Sequence, residues 1–110
     1  MAASFLQAIE MTTYDTSGLT GSYAALNGSG TEQALLVLKL YNASDTDVTL
    51  SYDNSTDHDF VPAGSTMILD LQANARTHSQ GGGDWMIAKS QIVYGKGSAG
   101  TGNLYIIGYY

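Results

Sequence analysis

The residues best equipped for chemistry in this sequence lie between Asp53 and Asp59, where Asp-Asn-Ser-Thr-Asp-His-Asp sets three carboxylates and a histidine close together. Such spacing suits a hard cation, which takes six to eight oxygen ligands. Asp45 and Asp47 stand near enough in sequence to add to the set. Asp53, Asp57 and Asp59 are therefore the candidate metal ligands. The segment departs from the EF-hand loop, however. Its sixth position is His58, where the sharp turn needs glycine, and its twelfth is Gly64, where a bidentate glutamate closes the shell. A hairpin whose Asp and Asn side chains bond their own turn backbone accounts for the same residues without an ion. The expectation is no metal and no other cofactor.

Other chemical signals are weaker. His58 and His78 are the two histidines; neither adjoins a nucleophile motif, and no Gly-x-Ser-x-Gly elbow occurs. Gly83 to Ser90 approaches the phosphate loop G-x-x-x-x-G-K-S, but Ala88 replaces the second glycine. Between them Trp85, Met86 and Ile87 read as packing residues. A carboxylate pair for glycoside hydrolysis can be composed, yet 110 residues leave little room for a substrate cleft. Asn27, Asn42 and Asn54 each open a glycosylation sequon, in stretches whose Asn, Ser and Thr content already fits turns. The sequence predicts a protein that is not an enzyme.

Composition points the same way. A single domain of 110 residues buries only about two-thirds of the surface its unfolded chain exposes. It has no cysteine to staple it, so association with a partner is a ready source of further stability. Apolar residues make up 44% and charged residues only 13%, about half the usual charged share, which leaves much neutral surface for contact. The net charge is −6 and the four cations Lys39, Arg76, Lys89 and Lys96 are scattered, which argues against a nucleic-acid partner. The run Ala34 to Leu38 falls far short of a membrane span. The opening residues lack a basic region and reach Glu10 too early for a secretory segment, so the chain is expected to be used as synthesised.

The elements that position these residues read as strands. Phe5 to Tyr14 alternates, although its Ala, Leu, Gln and Glu also allow a short N-terminal helix or arm. Asp15 to Gly18 reads as a turn, Leu19 to Leu26 as a weak strand and Asn27 to Gly30 as a loop. Ala34 to Tyr41 is apolar at nearly every position, as in a central strand buried on both faces. Val48, Leu50 and Tyr52 oppose Thr49, Ser51 and Asp53; His58 to Val61 pairs back, Pro62 makes a corner, and Thr66 to Leu71 follows. Residues 72–84, with three successive glycines, read as a long loop that orders only against a partner. Gly95 to Gly102 reads as a flexible turn. In the closing strand Leu104, Ile106 and Tyr110 oppose Tyr105, Ile107 and Tyr109, so both faces are apolar or aromatic. A two-layer monomer needs one such face, so a further layer is expected, and Tyr105, Ile107, Tyr109, Tyr110 and Trp85 are the candidate subunit interface.

The blocks Asn42 to Asp53, Phe60-Val-Pro-Ala-Gly-Ser65 and Tyr94-Gly-Lys-Gly-Ser-Ala-Gly-Thr-Gly-Asn-Leu-Tyr105 resemble small structural proteins of tailed-bacteriophage virions. Those are short, cysteine-free β-sandwich proteins attached to capsids, necks or tails. The resemblance covers the C-terminal two-thirds of the chain and carries over no catalytic residue. The fold expected is a small all-β antiparallel sandwich, jelly-roll or immunoglobulin-like. The resemblance implies a virion structural protein, foremost a capsid decoration or cement protein, a homo-oligomer contacting the major capsid protein, with a neck, collar or tail component as the alternative. A carbohydrate-binding adhesin tip using Trp85 and surface tyrosines is the rival from another class.

Overall fold

Alternation becomes pairing in the computed structural model, which describes residues 6–28, 30–71 and 87–110. Their regular structure consists of β1 (Thr12–Asp15), β2 (Ala24–Ala25), β3 (Val37–Ser44), β4 (Val48–Ser51), β5 (Asp59–Val61), β6 (Thr66–Asp70), β7 (Tyr94–Lys96) and β8 (Gly102–Tyr109), with a 3₁₀ turn at Thr16–Gly18. Two antiparallel sheets result, ordered β1-β8-β3-β6 and β2-β7-β4-β5. Four ladders join β1 to β8, β2 to β7, β3 to β6 and β4 to β5. The first half of the chain therefore pairs with the second half in reverse order, as one long hairpin wound about the sandwich. That is the jelly-roll arrangement, and it differs from the immunoglobulin order.

The core follows from the period of two. Leu38 and Leu40 of β3 and Leu104 and Ile106 of β8 face inward from one sheet, and Val48, Leu50 and Val61 from the other. Leu19, Leu26, Leu35 and Val93 enter the same cluster from connecting segments. Tyr14, Met67, Leu69 and Tyr52 close its rim.

Several expectations change in the fold. β3 is not buried on both faces: Val37 and Lys39 are half-buried and Tyr41 is 42% exposed. The strand is interior within its sheet, but a two-layer sandwich leaves its outer side to solvent. The weak strand expected over Leu19 to Leu26 contracts to Ala24–Ala25, because Leu19 and Leu26 plug the core from loops while Ser22 N–H turns to the Thr20 hydroxyl. The first strand contracts to β1, preceded by a single bridge from Ala8 to Tyr109. Residues 6–11 contain no helix. The loop expected over 72–84 lies outside the described residues.

The segment from Gly95 to Gly102 is not a free turn. Gly95 belongs to β7, and Gly97 and Gly100 N–H groups donate to the Thr20 and Thr16 carbonyls at 2.8 and 3.1 Å. A side chain at Gly97 would stand 2.5 Å from the Asp47 carbonyl oxygen, and Gly102 holds φ +123°. These glycines serve close approach of backbone to backbone.

Candidate functional site

The β4–β5 connection gathers the acidic residues, and each carboxylate there has an internal partner. Asp53 Oδ1 accepts from the N–H groups of Thr56 and Ser55 at 2.8 and 2.9 Å and from the Ser51 hydroxyl at 2.8 Å. This is an Asx turn, helped by Asn54 at φ +68°, a conformation asparagine tolerates. The backbone donors, Thr56 foremost, hold the Asp53 carboxyl well below the usual carboxylate range. Asp57 accepts a short hydrogen bond from the Tyr23 hydroxyl and pairs with Lys96 at 3.0 Å. The Tyr23 hydrogen bond, then Lys96, draws the Asp57 pKa down, and Asp57 in turn raises that of Lys96. The Lys96 ammonium also lies over the Tyr23 ring, 4.7 Å from its centre. Asp59 accepts from the Tyr52 hydroxyl at 2.6 Å. Burial of that phenol, reinforced by Asp59, pushes its pKa up.

The neighbouring acids are held in the same manner. Asp45 Oδ1 accepts from Thr101 N–H at 2.8 Å and Asp47 Oδ1 from Ala63 N–H at 2.9 Å. Asp53, Asp57 and Asp59 thus point to three different sets of partners. Among the described residues no three acidic or histidine side chains converge as a metal site would require. His58 stacks on Tyr52 with centroids 5.3 Å apart, and its Nδ1 accepts from Tyr52 N–H at 3.0 Å. With that lone pair occupied, the neutral ring carries its proton on Nε2, so no free nitrogen is left to abstract one. His78 lies outside the described residues.

An apolar cavity of about 320 Å³ opens between the sheets beside Leu38, Leu69, Leu71, Ile87 and Val93. Its polar lining is already engaged: Gln91 Nε2 donates to the carbonyls of Tyr52 and Ile92, and the Tyr52 hydroxyl to Asp59. No buried side-chain polar atom among the described residues lacks a partner.

What remains open is a surface. Register places Thr13, Tyr105, Tyr41 and Thr66 in one row across the outer face of the β1-β8-β3-β6 sheet. Beside it run Ile107, Lys39 and Ile68, then Tyr109, Val37 and Asp70. Ile68 is 58% exposed. Tyr41 stacks on Tyr105 at 6.2 Å, and Lys39 lies 5.0 Å over the Tyr109 ring. The sequence-predicted Tyr105, Ile107 and Tyr109 are all on this face, half-buried. Tyr110 is not in the grid: it lies past β8, with its N–H on the Gln7 carbonyl, and lines a small recess with Ile9 and Glu10. Trp85 lies outside the described residues. Tyr41, Val37 and Ile68 share this face and were not among the sequence-predicted residues. The signal for Ile68 was present in its opposition to Met67 and Leu69; that for Tyr41 and Val37 was masked by a segment apolar at nearly every position.

Comparison with protein-family models, curated proteins and solved structures finds no match for this chain.

Proposed function

We propose that this protein is a structural component of a bacteriophage virion, foremost a capsid decoration protein, acting by contact and not by catalysis. The observation that carries the reading is the outer face of the β1-β8-β3-β6 sheet, where Tyr41, Tyr105, Tyr109, Ile107, Ile68 and Val37 surround Lys39 in a largely apolar and aromatic surface. Contiguous apolar patches of this kind mark interaction sites. The reading gains support from the occupied carboxylates around the β4–β5 turn, which act as pins for the loops. No contact among the described residues favours the sugar-binding alternative, whose Trp85 lies outside them.

Quantitative mass spectrometry and electron microscopy of purified particles from the source of the chain test the reading. A copy number comparable with that of the shell subunit, and density on the shell, is the expected result. A small fixed number at one vertex would move the protein to the neck or tail. Absence from the particle would overturn the virion role altogether.

A further inference from the structure

We draw no further inference here: the strongest candidate, the apolar cavity between the sheets beside Leu38, Leu69 and Val93, is bounded by Leu71 and Ile87, between which the chain lies outside the described residues, and nothing in the structure shows what covers it.

Discussion

Asn42 shows how a single polar side chain can set the geometry of a sandwich end. It is fully buried in β3, and its amide donates to the carbonyls of Thr46 at 2.8 Å and Val61 at 3.0 Å while accepting from the Ser44 hydroxyl. It thereby ties the β3–β4 turn to the end of β5. Asn42→Leu fills similar space but removes the amide donor from the buried Val61 carbonyl, while the Thr46 carbonyl keeps the Ser44 hydroxyl. A loss of about 1–3 kcal/mol, and a Tm drop of roughly 4 °C or more, is expected in calorimetry. Asp53 gives a pH-dependent counterpart. Its folded pKa is depressed by the Thr56 and Ser55 N–H groups, so its contribution is present above the unfolded value of about 3.9 and is lost as pH falls through the folded value. Melting temperature should therefore decline below about pH 4. Asp53→Asn should lower Tm at neutral pH and draw closer to wild type in acid; a constant gap between the two across pH would show that the charge is immaterial. The Asx turn at Asp53 was legible beforehand, because its donors are local, whereas Asn42 to Val61 and Asp45 to Thr101 depend on how distant strands come together.

At the scale of elements, the glycines between β7 and β8 carry the clearest lesson about what sequence reveals. Composition alone suggests a flexible linker. In the fold, that segment passes between the β3–β4 turn and the 3₁₀ turn, and Gly97 and Gly102 leave no room for a Cβ. Gly97→Ala would drive a methyl against the Asp47 carbonyl oxygen and is expected to cost about 2 kcal/mol or more. Gly21→Ala, with nothing within 4 Å of the new carbon, should be neutral or stabilise by about 0.4–1 kcal/mol by restricting the unfolded chain. Urea titration of the two variants checks the contrast; equal effects would mean that the close approach is not sustained in solution. The class of the fold was legible, since alternation at Val48 to Tyr52, Thr66 to Leu71 and Asn103 to Tyr110 reports half-buried strands directly. The order of the strands was not. β6 pairs with β3 and not with the adjacent β5, and nothing local to Thr66 encodes that choice. The nearly all-apolar segment at β3 misled for a related reason: it contains core residues and outward-facing residues in alternation, and hydrophobicity does not distinguish the two.

For the whole molecule, the decisive property is the separation of apolar contact from charge. The two apolar faces of the closing strand were legible in the sequence. The extension of the outer one across β3 and β6 was not, because that needs the register. Asp45, Asp47, Asp53, Asp57 and Asp59 collect around the β3–β4 and β4–β5 connections, where they pin loops, while the long sheet's outer face carries Lys39, Asp70 and, at its β1 edge, Asp15.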